Sequence, residues 1–365
     1  MSTGLLGGIT FVLVFIGMIL VHEVGHFVAA RLMKIDVEEF GFGIPPRMLT
    51  LFTWKGVKFT LNWLPLGGFV RIKGEDDPSV PEGMSAAKPW KRLVVLVSGV
   101  AMNLLTAVIA YSILFTNIGI PDRTTTIITG LEAGAPAEQA GIQPGDIVLL
   151  YNGVHITDTD DLIAITFENL GQPLSLVVAR DGLPVELTVT PRVDYPVGSG
   201  PMGVMLSNPY RPVDSWFQAI PFSFKVTGQD MGTLFALPFR LIAGTASPQE
   251  AQIGGPRTIW NFFQAAVASD LESRQEAEAG QGQATYYTLG VIIALSVSLG
   301  TLNLLPIPGL DGGRILFTLP EVLFRRAIPA KYQTAINGTA LILLILLMMF
   351  FYIKDFINPI TINLP

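Results

Sequence analysis

Four runs of the chain stay apolar long enough to cross a bilayer, roughly 5–32, 93–118, 287–305 and 335–353. Each approaches the ~20 residues that a hydrocarbon layer demands of a helix. The first is interrupted, for "LVFIGMILVHEVGHFVAARLM" carries His22, Glu23 and His26 in otherwise apolar surroundings. The third runs into "PIPGLDGGRILFTL", so its helix is expected to break at Pro306 and to resume as a short apolar piece. The fourth, "ALILLILLMMFFYI", is apolar all round and reads as a plain anchor.

Between these runs the period changes. "MLTLFTWKGVKFTLNWLPLGGFVRIKG" alternates apolar and polar positions, which predicts strands or a hairpin over about 52–75. Trp54, Phe59 and Trp63 suit an edge that dips into the membrane interface. After the second run, "ITGLEAGAPAEQAGIQPGDIVLLYNGVHI" predicts a strand, a small helix at Pro136–Ala140, a turn at Gln143–Asp146, a strand and a tight turn at Asn152-Gly153. A helix near Asp160–Glu168 follows, then strands "LSLVVAR" and "PVELTVTP" joined at Asp181-Gly182. Residues 124–208 are enough for a small α+β domain. "SWFQAIPFSFKVTGQDMGTLFALPFRLIAG" predicts one or two membrane-surface helices, and "ESRQEAEAGQGQ" a flexible approach to the third span.

The fold class is therefore a polytopic α-helical membrane protein of about four transmembrane helices, with a membrane-associated β-loop and an inserted α+β domain. The expected parts are 1–123, 124–208, 209–284 and 285–365. Composition agrees, with 14% charged residues, 50% apolar residues and a mean hydropathy of +0.50, against about 25% charged in soluble chains. The net charge of -6 carries no nucleic-acid signature, and the absence of cysteine excludes disulfides and Cys-ligated zinc. The N-terminus lacks a basic region and a small-residue cleavage site, so a removable signal peptide is not expected. Nine Lys or Arg lie between the first and second runs, and Arg314, Arg325, Arg326 and Lys331 precede the fourth. The excess puts both loops in the cytoplasm, with the termini and 124–208 outside.

On a helix, His22 and His26 share a face at i and i+4, with Glu23 beside them to reach a water on a shared ion. This is the HExxH arrangement of two metal-ligating histidines and a general base. The chain has three histidines, and His155 reads as a surface residue. Ionisable groups in a membrane helix are functional by default, although pairing with another span is the simpler alternative for Glu23 and one imidazole. A catalytic zinc takes three protein ligands. Glu75, Asp76 and Asp77 lie in the cytoplasmic loop, whereas Asp311 sits amid prolines and glycines that break an apolar run. Taken alone, Asp311 would also read as a helix N-cap.

HEVGH in a first span, an inserted domain, and "NLLPIPGLDGG" in a later span together resemble the bacterial site-2 proteases, membrane-embedded zinc metalloproteases. The resemblance implies that His22, His26 and Asp311 hold zinc and that Glu23 activates the water. "WLPLGGFVRIKGED" is similar to that family's membrane-reentrant β-loop, with Gly67 and Gly68 as substrate-contact positions, and "EFGFGIPPR" to its preceding glycine-containing loop. "SGVAMNLL" is similar to the second-span motif, with Val100 where the family often has Pro. "QIGGPRTI", Gln252–Ile259, is similar to the stretch before the third span. Asn103 and Asn303 are expected to bond the substrate backbone or the developing oxyanion, with a helix–helix hydrogen bond as the alternative for each. "GAPAEQAGIQPGDIVLLYNG" resembles a bacterial PDZ domain, single here where some relatives carry two, with its peptide groove near Pro201–Leu206.

The resemblance implies a single-span membrane protein as substrate, cut after a first outside cleavage, as in destruction of an anti-sigma factor. The PDZ-like domain would screen peptide ends or bulky outer domains. A membrane scaffold with an idle metal site is the alternative, disfavoured by the intact set of His22, Glu23, His26 and Asp311. A zinc transporter is a third, but the second and fourth spans offer no ionisable path.

Overall fold

The computed structural model describes residues 3–75, 77, 79–122, 124–196, 199–246, 254–326 and 328–358. It divides into two compact units, Met1–Leu114 with Ile220–Pro365, and Phe115–Ala219.

The first unit is helical around one sheet. Its helices are α1 (Thr3–Leu32), α2 (Pro89–Ile118, whose last residues enter the second unit), α5 (Trp216–Ile242), α6 (Pro256–Glu278), α7 (Tyr287–Leu304), α8 (Asp311–Phe324) and α9 (Ala330–Ile357). Four stretches, Gly4–Leu32, Pro89–Ile118, Tyr287–Leu304 and Lys331–Ile357, are long and apolar enough to cross a membrane. Glycines let α6 lie against α1: a Cβ on Gly8 would sit 2.9 Å from the Trp260 ring. Phe11 packs edge-on against Trp260 and Phe263 at 5.2 and 5.6 Å. Neither α6 nor α7 has a side-chain cap from its own N-cap residue. Distant carboxylates supply them. Asp355 of α9 accepts from the Arg257 and Thr258 N–H groups at 2.8 and 3.2 Å. Asp270 of α6 accepts from those of Tyr287 and Thr288 at 2.7 and 2.9 Å. Each such cap contributes about 1 kcal/mol and fixes one helix end to another element.

The sheet is larger than the alternation predicts. Strands β1 (Val37–Trp54) and β2 (Val57–Ile72) pair antiparallel, and residues 39–42 take partners on two sides, Lys58–Leu61 and Gly68–Arg71. "EFGFGIPPR", expected as a loop, lies inside β1. Glycines at 41 and 43 hide its alternation, and Gly41 is needed because any Cβ there would enter the Phe69 ring. Buried Glu39 holds the bend, accepting from Arg47 at 3.0 and 2.7 Å and from Thr60 at 2.8 Å. Val37, Phe40, Val57 and Ile72 of the sheet pack with Ala29 and Ala30 of α1 and Val95 and Leu96 of α2.

One other expectation changes. "ESRQEAEAGQGQ" is not a flexible approach along its whole length, for α6 continues to Glu278. Glu, Arg, Gln and Ala are good helix formers, and the helix stops only where Gly280 takes a φ of +73°. The stretch 216–242 is a single helix despite Pro221 and Pro238. Of Gln252–Ile259, Gln252 and Ile253 lie outside the described residues, as does Asp76.

The second unit holds β4 (Thr126–Leu131), α3 (Pro136–Gln139), β5 (Ile147–Tyr151), β6 (Val154–His155), α4 (Thr159–Glu168), β7 (Leu174–Arg180), β8 (Leu183–Val189) and β9 (Val204–Ser207). The sheet runs β8-β7-β5-β4-β9, with β6 on β5. A separate pair joins β3 (Ile120–Pro121) and β10 (Tyr210–Arg211). Ile128, Tyr151, Leu176, Val178 and Leu162 of α4 form its core. Asp146, 1% exposed, clasps Arg180 through bonds of 2.8 and 2.7 Å and accepts the Gln143 N–H at 2.8 Å.

Burial alone would raise the Asp146 carboxyl, but Arg180 and the Gln143 N–H together hold it below its ordinary value. A carboxyl depressed in the folded state adds stability above its unfolded value of about 3.9, and this is lost as pH falls through the lower folded value. Asp146→Asn should therefore destabilise this unit at neutral pH by about 1–3 kcal/mol. It should also flatten the acid limb of the melting temperature against pH. A steep acid limb retained in the variant would assign that limb to other groups.

Candidate metal centre

One turn of α1 presents both imidazoles to the same point. His22 Nε2 and His26 Nε2 lie 3.1 Å apart with the rings edge-to-face, and both residues are 8% exposed. Asp311 Oδ2 lies 3.1 Å from His22 Nε2 and 3.2 Å from His26 Nε2. The three form a set able to hold a metal ion, each offering one ligand atom. A tetrahedral ion with bonds of 2.0–2.1 Å requires ligand atoms about 3.3 Å apart, so the triangle fits zinc to within a few tenths of an ångström. Asp311 Oδ2 is buried and faces both imidazole nitrogens, as a ligand atom would.

The helix break delivers Asp311. Pro306 and Pro308 separate α7 from α8, and Asp311 is the first residue of α8 rather than its N-cap, which is Leu310. Gly312 and Gly313 follow because the chain doubles back on itself: a Cβ on Gly313 would lie 2.5 Å from the Ile307 carbonyl oxygen, and one on Gly312 would enter the carbonyls of Leu304 and Leu305. Helix α2 closes the back of the site. A Cβ on Gly99 would lie 2.5 Å from His26 Nε2 and 2.7 Å from His22 Cε1, so the two rings occupy the space that a side chain would need. His26 Nδ1 bonds the Val95 carbonyl oxygen at 2.8 Å. Donation of its proton there leaves Nε2 with a lone pair for an ion.

Glu23 stands beside the pair and shares the lining of one cavity with Val70. A Cβ on Gly68 would lie 3.5 Å from Glu23 Cγ, so the end of β2 passes close over the carboxylate. A cavity of about 230 Å³ is lined by His22, Glu23, His26, Asp311, Phe69, Val70 and Asn303. Arg314, one turn after Asp311, also lines it and pairs with Glu75.

The structure thus brings together His22, Glu23, His26, Asp311 and Asn303, with Gly68 alongside. Gly67, φ +103°, faces Ile44 instead. Asn103 is 1% exposed, and its side-chain nitrogen lies 3.3 Å from His22 Nδ1, so it is turned to the imidazole rather than to the cavity. The expectation of a substrate contact there gives way to the helix–helix bond. His155 is exposed, in the second unit. Sequence reasoning missed Gly99, Val70 and the Glu75–Arg314 pair. Of these, only Arg314 had a readable signal, its i+3 spacing from Asp311 on one helix.

Paired imidazoles, an adjoining carboxylate and a third ligand from a broken helix, all among bilayer-length apolar helices, define a metallopeptidase site of the HExxH class. Residues 10–347 match peptidase family M50, and the chain belongs to that family. A Clostridium perfringens protein named as a zinc metalloprotease is 33% identical over 349 residues, 95% of this chain and 98% of its own. A Campylobacter jejuni protein named likewise is 30% identical over 363 residues, 94% of this chain and 91% of its own. The metalloprotease MmpA of Caulobacter vibrioides is 30% identical over 366 residues, 90% of each chain. Among solved structures, an HtrA-type protease with a decapeptide matches 27% of each chain at 25% identity, with a TM-score of 0.18.

Gly99→Ala puts a methyl group where the His26 and His22 rings lie. Purified Gly99→Ala protein should lose most of its metal by elemental analysis while keeping its helical circular dichroism. Full metal content in the variant would mean that α2 can retreat without cost.

Proposed function

We propose that this chain is a zinc metallopeptidase that hydrolyses a peptide bond in or near the transmembrane segment of a single-span membrane protein. The cut would follow a first cleavage outside the membrane, with an anti-sigma-factor type of substrate. The observation that carries the reading is the triangle of His22, His26 and Asp311 with Glu23 in the same cavity. Zinc, when bound, lowers the pKa of a bound water to about 7 and polarises the scissile carbonyl.

His22, His26 and Asp311 would be its ligands. Glu23 takes the proton of the attacking water and passes it to the leaving amine. Asn303, which lines the cavity, is placed to bond the substrate backbone. A helical substrate segment must unwind before water can reach its carbonyls. The end of β2 offers an edge on which it can be held extended, for among the described residues Gly68–Arg71 pair with β1 alone. The loop charges support a topology with both termini and the second unit extracytoplasmic.

Glu23→Gln should retain zinc and lose at least about a hundredfold in cleavage of a single-span substrate in detergent. Asp311→Ala should lose zinc as well. Near-normal turnover by Glu23→Gln would rule out this mechanism.

The 124–208 domain resembles a PDZ domain, and among the described residues its end strand β9 pairs with β4 alone, which leaves an edge for an added peptide strand. Its role under this reading is exclusion of substrates that still carry bulky outer domains. A span confined to the bilayer already meets the enzyme at high effective concentration, so further capture gains little. Deletion of 124–208 should leave cleavage of a precut substrate unchanged and allow the uncut form to be cut. A deletion variant that still rejects the uncut form, and cuts the precut form slowly, would favour capture of the new end.

A further inference from the structure

We propose that Asn103 is a positioning residue for the metal: its side-chain oxygen accepts the Nδ1 proton of His22 and so fixes that ring as an Nε2 ligand. This rests on the zinc reading above. An imidazole that binds an ion through Nε2 must carry its proton on Nδ1, and that proton needs an acceptor when buried. The two ligands of α1 meet this need differently. His26 turns Nδ1 to the Val95 carbonyl oxygen of α2 at 2.8 Å. Among the described residues His22 has no such carbonyl, and its Nδ1 faces the Asn103 carboxamide alone, at 3.3 Å, from the same helix α2.

The carboxamide is fully enclosed. Asn103 is 1% exposed, and its Oδ1 is buried with no hydrogen-bond partner, while the nitrogen faces His22. That orientation suits the other tautomer, in which His22 Nδ1 accepts from Asn103 and the Nε2 proton points to Asp311 Oδ2, 3.1 Å away. Turning the carboxamide over exchanges oxygen and nitrogen within almost the same shape. It brings Oδ1 onto Nδ1–H and frees the Nε2 lone pair for the ion. A carboxamide can serve both tautomers because it carries a donor and an acceptor on one planar group. A leucine could do neither.

The spacing on α2 follows from this. Gly99 gives both rings room, and Asn103, one turn further along, meets the back of the nearer one. The backbone carbonyl of Val95, one turn before Gly99, meets the back of the other. One face of a single helix, at 95, 99 and 103, therefore sets the orientation of both imidazoles. Substrate contact by Asn103 would require its amide to reach the cavity, and that cavity is lined by Asn303 instead.

The test is chelator competition for zinc on the full-length chain in detergent, with wild type, Asn103→Leu and Asn103→Asp. Loss of such an outer partner typically weakens metal binding by about 10–100-fold, and Asn103→Leu should show a loss in that range. Asn103→Asp keeps an acceptor for Nδ1–H and should bind zinc at least as tightly as wild type. If Asn103→Leu does not fold, Asn103→Asp decides alone, and weakened zinc binding in it overturns the inference. Unchanged zinc affinity in Asn103→Leu also overturns it, and a fall in cleavage without zinc loss would make Asn103 a substrate contact. Equal loss in both variants, with equal loss of melting temperature, would reduce the residue to packing. A wild-type chain that binds no zinc would instead remove the metallopeptidase reading itself.

Discussion

Two imidazoles and a carboxylate with ligand atoms 3.1–3.2 Å apart, among helices of bilayer length, are the constraint from which the first unit follows. Ionisable groups in such surroundings are costly unless they serve one another or a shared ion. To bring them together, α1 and α2 must approach until side chains no longer fit between them. Gly25 and Gly99 mark that contact, for a Cβ on the first would enter the Ser98 carbonyl and one on the second would enter the imidazoles. The third ligand comes from a chain that has to stop being helical at Leu304 and start again at Asp311. Unwound backbone is tolerated at such depth only inside protein, and here it is folded so tightly that Gly312 and Gly313 admit no side chain.

Helices held this closely must also be held in register along their length, and apolar packing alone does that poorly in lipid. Polar ties do it here. Asp270 and Asp355 cap helices that begin 17 and 98 residues away from them in sequence, taken to Tyr287 and Arg257. Tyr111 of α2 donates to Asp230 of α5 at 2.5 Å, and Ser112 bonds Ser223 at 3.1 Å. Arg92 of α2 pairs with Glu321 of α8, and Arg314 of α8 with Glu75 after β2. Each joins elements far apart in the chain, so that α8, the carrier of Asp311, is fixed from both neighbours.

What the sequence made legible is what repeats locally. His22, Glu23 and His26 were readable because a helix converts a spacing of four into a shared face, and the four spans because length and apolarity suffice. Asp311 was readable as an acidic residue in a broken apolar run. The start of β1 was not, because Gly41 and Gly43 interrupt the alternation for the sake of a neighbour, Phe69, that is 28 residues from Gly41. The end of α6 was misjudged because a polar, Glu-rich stretch looks like linker, although its residues favour helix and no breaker precedes Gly280. Asn103 was singled out for its type, but its direction depends on which helix stands opposite, and no local pattern states that.

The position of β2 links the base to the substrate under the proposed reading. Lys73 N–H bonds the Asp36 carbonyl at 2.9 Å, so at the end of the strand the odd-numbered residues turn their backbone groups toward β1. Alternation then turns those of Gly68, Val70 and Ile72 to the open edge, where Val70 and Glu23 line one cavity. An extended substrate on this edge would have the base beside its middle. It would anchor on the flanking groups of Gly68 and Ile72, and its own backbone would pass the Glu23 carboxylate between those two anchors. The strand that holds the substrate straight would in this way also set the distance between the scissile carbonyl and the proton acceptor. That coupling gives a physical reason for a sheet to lie against a helix that could otherwise have presented its metal ligands unaided.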